Sequence, residues 1–334
     1  MKVAINGLGR IGRAALKIIL DMPQLEVVAV NDIVPAENIV YLLKYDTVYG
    51  RYEKTVESNG ENLIIGDTAI RYFNEKDPAR LPWSSLGVDI VLECTGVFTK
   101  RVDLEKHVQA GAKYVILSAP TKSDDVVTVV HGVNTVDGDT HIIACASCTT
   151  NCITPVVEII GRRIGIQKAI MTTVHAYTAS QAIVDSPNKR SERGRAGAAN
   201  FVPTSTGAAM ATAKALPQYE GLFDGIAVRG PVAVGSLADI VLVAERKTSV
   251  EEINQIFMEE AASDRYRGIV GVTDDPIVSS DIIKDPRASV IDLGMTRVVD
   301  GDLIKILSWY DNEWGFTNQM VRQVVEIAQA IKEV

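Results

Sequence analysis

Apolar positions along this chain follow two periods, and the alternation between them outlines the elements. KVAINGLG, from Lys2, is a continuous apolar run that ends in glycines and reads as a strand followed by a turn. RIGRAALKIILDM follows with helical spacing, placing Ile11, Ala14, Ala15, Ile18 and Ile19 on one face. LEVVAVND, Leu25 to Asp32, is a second β-branched strand, so the chain opens with a βαβ unit. VDIVLECTG and YVILSAP are buried-type strands, with the helix VDLEKHVQAG between them, capped by Gly111. Beyond Cys152 the pattern changes. VVEIIGRRIG is helical, then AIMTTVHAY, GIAVRGPV and ADIVLVAERK are strand-like. EEINQIFMEEAAS is helical, and SVIDLGMTRVV and LIKILSWYD are again strand-like. Strands clustered in this way predict a second domain with a mainly antiparallel sheet. The last segment, TNQMVRQVVEIAQAIKEV, predicts an amphipathic helix with Met320, Val324, Ile327, Ala328 and Ile331 on one face.

Inside the first βαβ unit lies Gly7-x-Gly9-x-x-Gly12, with Asp32 closing the second strand 20 residues after Gly12. Each position has its own physical reason. Gly7 permits the tight turn, Gly9 lets a pyrophosphate approach the backbone, and Gly12 lets helix and strand pack closely. The helix N-terminus then offers free N–H groups and a partial positive charge. Asp32 can accept both hydroxyls of a ribose and would repel a 2′-phosphate. A plain tight turn would use the same glycines, but the strand before, the helix after and the spaced acid favour a dinucleotide site. Strand ends border the ligand crevice of such a sheet, which makes Thr95, Gly96 and Ser118 candidate neighbours of the cofactor.

Composition narrows the class. The chain has 334 residues, 47% of them hydrophobic and 23% charged, enough for one large or two medium globular domains. The formal net charge of −8 argues against nucleic acid as a main partner. No apolar run is long enough to span a membrane, and MKVAINGLGRIG lacks a signal-peptide pattern; a cytoplasmic protein is expected.

Three of the four cysteines crowd together in His141-x3-Cys145-x2-Cys148-x3-Cys152. Zinc sites gather ligands in two separated pairs, and the remaining cysteine, Cys94, supplies no second pair; no metal is expected. Cys145 falls in the alternating stretch HIIACAS, where cysteine behaves as a small hydrophobe. ACASCTTNCITPVVEII reads as strand, sharp turn, helix, which puts Cys148 near a helix N-terminus, a position that lowers a thiol pKa. Of four histidines, His107 falls on a charged helix and His131 and His141 border turns. His175, at the end of the apolar strand AIMTTV, is the best placed to serve Cys148 as a base.

INGLGRIGR, NDI, LLKYDTVYGR, ECTGVF, ASCTTNC, HAYTASQ, VPTSTGAA, AVRGPV and WYDNEWGF occur in order from residue 3 to residue 318. With them the chain resembles phosphorylating glyceraldehyde-3-phosphate dehydrogenase over essentially its whole length. The resemblance implies an α/β protein: a Rossmann dinucleotide-binding domain over residues 1–147, completed by a C-terminal helix over 313–334, and an α+β catalytic domain over 148–312. It implies Cys148 as nucleophile and His175 as its base. Ser147, Thr149, Thr206 and Gly207 resemble the family's inorganic-phosphate site, and Thr178, Arg193 and Arg229 its substrate-phosphate side. Gly7, Gly9, Arg10, Ile11, Gly12, Asp32, Lys76, Ser118 and Asn312 fall at cofactor-contacting positions. Read alone, an arginine is a solvated charge and STG a helix cap; hydroxyls, N–H groups and arginines together suit phosphate oxygens.

The chain departs from the family in DSPNKRSERGRAG, Asp185 to Gly197. Ser186 replaces a large apolar residue near the adenine ribose and leaves room for a 2′-phosphate, while Asp32 argues for NAD. The expectation is NAD preferred, with NADP use left open. Met210 stands where many relatives carry lysine. The family also implies small-molecule substrate and inorganic phosphate as partners, and a homotetramer. Erythrose-4-phosphate dehydrogenase and a non-catalytic NAD-binding scaffold are the alternatives; STGAA and YTASQ argue against the first, Cys148 with His175 against the second.

Overall fold

The protein, here a computed structural model, is described over residues 1–135 and 140–332, with side chains through residue 329. It divides into two compact units, one of Met1–Val129, Val136–Ala146 and Met320–Val334, the other of Val130–Thr135 and Ser147–Gln319.

The first unit holds strands β1 (Lys2–Asn6), β2 (Glu26–Asn31), β3 (Tyr45–Asp46), β4 (Gly50–Arg51), β5 (Val56–Ser58), β6 (Asn62–Ile65), β7 (Thr68–Phe73), β8 (Ile90–Glu93), β9 (Tyr114–Leu117), β10 (Val127–Thr128) and β11 (Ile142–Ala144). Its helices are α1 (Arg10–Ile19), α2 (Ala36–Lys44), α3 (Trp83–Leu86) and α4 (Arg101–Gln109). Among the described residues, nine strands form one sheet in the order β10-β11-β9-β8-β1-β2-β7-β6-β5. From β10 to β7 every pair is parallel; β6 and β5 extend the sheet antiparallel. The central strands are buried on both faces, as helices covering a parallel sheet require. The sequence reading contained no strands between residues 56 and 73. That segment alternates weakly and is interrupted by Asn59-Gly60 and Gly66-Asp67, and only pairing with β2 through β7 fixes it.

The second unit holds α5 (Cys148–Arg163), β12 (Ile166–Ala176), β13 (Val202–Ser205), α6 (Ala208–Ala215), β14 (Phe223–Gly230), β15 (Ser236–Ala244), α7 (Val250–Ala262), β16 (Val270–Thr273), β17 (Ser289–Asp292), β18 (Arg297–Val299), β19 (Leu303–Tyr310) and the start of α8 (Trp314–Lys332). Its sheet runs β13-β14-β12-β15-β19-β17-β16, with β18 beside β19. The pairs β12–β14 and β16–β17 are parallel and the others antiparallel. One face packs on α5, α6 and α7 through Ile153, Val156, Ile160, Ile240, Phe257 and Ile306. The opposite face leaves Ile170, Val174 and Ile226 exposed. SVIDLGMTRVV is not one strand: a 3-10 turn at Leu293–Met295 separates β17 from β18. In α8, Met320, Val324, Ile327 and Ala328 are buried as the periodicity predicts; the side chain of Ile331 lies outside those described.

Candidate active site

The dinucleotide cradle is shaped by missing side chains. Gly7 has φ +92°, and a Cβ there would meet Thr95 N at 2.7 Å. A Cβ on Gly12 would lie 1.9 Å from Gly7 O, so only glycine lets α1 start against the turn. A Cβ on Gly9 would meet nothing within 4 Å. The backbone there is open to a ligand at the α1 N-terminus, where N–H groups lack helical partners.

A cavity of about 390 Å3 is lined by Asn6, Gly7, Gly9, Asp32, Lys76 and Thr95, among others. Asp32 is held by Leu8 N–H at 2.6 Å and Val34 N–H at 3.3 Å. Of the other expected cofactor residues, Arg10 pairs with Asp46 at 2.5 Å, Ile11 is half-buried in the first turn of α1, and Lys76 is exposed. Ser118 N–H donates to Glu93 O at 3.0 Å, its side chain bonding Cys94. Asn312, in the second unit, accepts from Gly235 N–H and Ser236 Oγ at 3.1 and 3.0 Å. Ser186 is exposed, its N–H donating to Gly194 O. Open space at Gly9 and an acid fixed by backbone fit a dinucleotide with free ribose hydroxyls.

The cysteines resolve into one unlike the rest. Strand β11 ends at Ala144, Ala146 adopts φ +57°, and Ser147 caps α5 by accepting from Thr150 N–H at 3.1 Å. Left-handed backbone at a non-glycine residue is costly, and here it makes the turn that puts Cys148 first in the helix. Burial pushes Cys94, Cys145 and Cys152 up to about 12. Burial leaves Cys148 raised as well, against the lowering its helix position predicts, but the Arg229 charge and the N–H groups of Thr149 and Cys148 offset part of it. No group of three or more potential metal ligands occurs among the described residues.

Register brings the remaining parts together. In the parallel pair β12–β14, His175 lies opposite Arg229. Cys148 Sγ is 3.3 Å from His175 Nε2, and Arg229 Nη1 is 2.7 Å from His175 Nδ1. Ala176 O lies 2.7 Å from Nδ1 and accepts from Arg229 at 3.0 Å. With the proton on Nδ1, it donates to Ala176 O and Nε2 presents its lone pair to the sulfur. With the proton on Nε2, Nδ1 accepts from Arg229 and the ring donates to a thiolate. Burial, followed by the Arg229 charge, depresses His175 from 6.5 to about 3. The ring therefore stays neutral at physiological pH, with Nε2 facing the sulfur as acceptor in one tautomer and as donor in the other.

Of the phosphate candidates, Arg229 touches His175 and Arg193 lies near enough for its charge to act on that ring. Arg193 donates to Thr204 Oγ1 at 3.1 Å, Ser180 Oγ at 3.5 Å and Ser205 O at 3.4 Å. Ser180 in turn bonds Thr178 Oγ1 at 2.9 Å. Thr206 Oγ1 accepts from Ala208 N–H, and Gly207 caps α6. Among the described residues, Arg229 hydrogen-bonds only neutral groups, and so does Arg193, whose charge is partly offset by Glu192 on the same Thr204 hydroxyl. Arg229 Nε is buried without any partner. Two cations and an orphaned donor make a site for anions.

Two further residues, Tyr310 and Thr173, join the centre with no local sequence signal for it. Tyr310 OH bonds Thr149 Oγ1 at 2.9 Å and Thr173 Oγ1 at 2.8 Å, with its ring edge-on to His175. Thr149, expected at phosphate, is thereby buried with its hydroxyl against Tyr310. The alternation of LIKILSWYD predicts that Tyr310 points inward, but nothing local says what it meets.

Comparison with known proteins agrees with this geometry. The family described as "Glyceraldehyde 3-phosphate dehydrogenase, NAD binding domain" matches residues 1–101, and "Glyceraldehyde 3-phosphate dehydrogenase, C-terminal domain" matches residues 147–312. A glyceraldehyde-3-phosphate dehydrogenase of Streptomyces coelicolor is 45% identical over 335 residues, covering 99% of each chain. That of Zymomonas mobilis is 44% identical with the same coverage, and that of Geobacillus stearothermophilus 45% identical over 98% of each. With both domain families matched and full-length relatives at this identity, the chain belongs to the glyceraldehyde 3-phosphate dehydrogenase family.

Proposed function

We propose that the chain oxidises D-glyceraldehyde 3-phosphate to 1,3-bisphosphoglycerate with uptake of inorganic phosphate, through Cys148 and His175. The observation that carries this is the Cys148–His175 contact of 3.3 Å beside Arg229, a cation that bonds only neutral groups and keeps one buried donor without a partner. As the Cys148 sulfur bonds to the aldehyde carbon, its proton passes to His175 Nε2. The oxygen becomes an oxyanion for which Nε2–H and the Cys148 backbone N–H are donors. When bound, NAD supplies the hydride acceptor. With the hydride gone, the carbon is a thioester on Cys148. A phosphate oxygen then attacks it, the carbon–sulfur bond breaks, and the departing thiolate is stabilised by Nε2–H and the Arg229 charge. Arg193, Arg229 and Thr178 serve the substrate phosphate, and Ser147, Thr149, Thr206 and Gly207 the attacking one.

Formation of NADH from glyceraldehyde 3-phosphate, with and without phosphate and with NADP in parallel, tests the reading. Phosphate-dependent reduction with NAD ahead of NADP is expected, because an acid held at Asp32 by two backbone N–H groups would repel a 2′-phosphate. Reduction independent of phosphate, or none with this aldehyde, would overturn it.

The working form is a cytoplasmic homotetramer. The exposed Ile170, Val174 and Ile226, with Ile183 90% and Val184 71% exposed, favour burial against further copies of the chain. The cysteines are all free, as a reducing compartment keeps them. No described helix is long and apolar enough to cross a membrane. Light scattering that gave a monomer would refute the assembly.

A further inference from the structure

His107 sits on a helix whose sequence reads as charged, yet it is 0% exposed, as are Trp83 and Glu93. Trp83 Nε1 can only donate, and it meets His107 Nδ1 at 3.0 Å, so that nitrogen carries a lone pair. The ring proton is then on Nε2, 3.0 Å from Glu93 Oε2. The same oxygen accepts from Asn6 Nδ2 at 2.6 Å. Glu93 Oε1 accepts from Thr95 N–H at 2.8 Å and from the Thr95 hydroxyl. Four donors thus fill the carboxylate. On its far side Asn6 Oδ1 accepts from Asn31 Nδ2 at 2.7 Å, and Asn31 brackets Glu75 N–H and O, each at 2.9 Å. Gly7 N–H closes the chain onto Asn31 O at 2.8 Å.

The network crosses the C-terminal ends of β8, β1 and β2 and the segment after β7. Asn6, Gly7, Asn31, Glu75 and Thr95 also line the dinucleotide cavity. We propose that Trp83, His107 and Glu93 are positioning residues for NAD: a buried relay, none of whose members lines that cavity, that fixes the Gly7 and Thr95 turns through Asn6. A saturated polar network selects one geometry, whereas apolar groups of the same shape would serve stability alone as well or better.

The proposal rests on NAD being the cofactor, and the experiment separates the two. NAD affinity by titration, and KM for NAD against kcat, are measured on the full-length enzyme and on His107→Gln, His107→Leu and Glu93→Gln. Glutamine places an N–H where Nε2 stands, so His107→Gln stays within about twofold of the parent, while His107→Leu orphans Trp83 and removes a donor from Glu93, raising KM for NAD about tenfold at near-constant kcat. Glu93→Gln sets an amide donor against existing donors and shows the same split, which keeps the test open should the leucine variant misfold. Nitrogen-15 spectra of histidine-labelled protein are expected to show His107 neutral with its proton on Nε2. Equal NAD affinity in His107→Leu and His107→Gln, or an Nδ1–H or imidazolium signal, would overturn the relay. Failure of the parent itself to bind NAD would instead overturn the cofactor.

Discussion

In the first unit the groups proposed to meet a ligand are backbone atoms and absent side chains, set within six residues by Gly7, Gly9 and Gly12. In the second they are side chains gathered from far apart. Cys148 and His175 are separated by 27 positions, His175 and Arg229 by 54, and Thr149 and Tyr310 by 161. The cradle therefore depends on steric room at single positions. The cysteine centre depends on strand register and buried charge. Substitutions should consequently fail in different ways: by overlap in the first unit, by lost chemistry on an intact fold in the second.

The largest effect belongs to the centre. Cys148→Ser is expected to lose about 10^4-fold or more in turnover, and His175→Asn roughly 10^2- to 10^4-fold, with unchanged NAD binding. Stopped assays and NAD titration on the same preparations check this. Loss of NAD binding in either variant would show that the two regions are not separable.

Next come the glycines. Gly12→Ala places a methyl 1.9 Å from a carbonyl oxygen with no flexible neighbour to yield. The expected cost is about 4 kcal/mol or more, seen as a lower melting temperature and no NAD binding. Gly9→Ala has free space, so its melting temperature should match the parent while NAD affinity falls about tenfold or more, the methyl occupying the phosphate approach. Equal melting of the two variants would break the steric account.

This contrast also explains what could be read beforehand. The three glycines, Asp32 and the start of α5 at Cys148 are local signals, and the structure holds each in the conformation that its pattern predicts. Tyr310 and Thr173 were illegible because their roles exist only once β19, β12 and α5 pack. The charged helix that carries His107 is as its sequence predicts, but the burial of His107 is not legible there, because Trp83, 24 residues earlier, supplies the partner that allows it. The phosphate residues were reached by resemblance. The structure adds that Arg229 bonds only neutral groups and that Thr149 turns its hydroxyl inward.

Acid should separate the regions again. The folded pKa of His175 is depressed from 6.5 to about 3. Its contribution to stability is thus complete above about 6.5 and is lost as pH falls toward 3, because the unfolded chain binds a proton that the folded chain refuses. At about pH 4 this amounts to roughly 3 kcal/mol. Urea melts of the parent and His175→Asn from neutral to acid should converge by that amount, and parallel curves would refute a buried neutral imidazole.

The smallest expected effect is the most specific to the centre. Tyr310 has one proton, so it donates to one threonine and accepts from the other. If it donates to Thr149, that hydroxyl keeps its own proton for an anion, and the ring holds α5 at a fixed distance from β12. Tyr310→Phe removes only the oxygen. Two buried hydroxyls then lose a partner, costing about 1–2 kcal/mol. The Cys148–His175 spacing loses its tie, and turnover should fall about tenfold without a change in NAD affinity. Alkylation by iodoacetamide across pH reads the spacing directly, because the thiol's reactivity depends on Nε2 being within reach. A Tyr310→Phe profile that overlays the parent would mean that strand register alone sets the distance, and the comparison between the two units would then rest on register rather than on hydroxyl bridges.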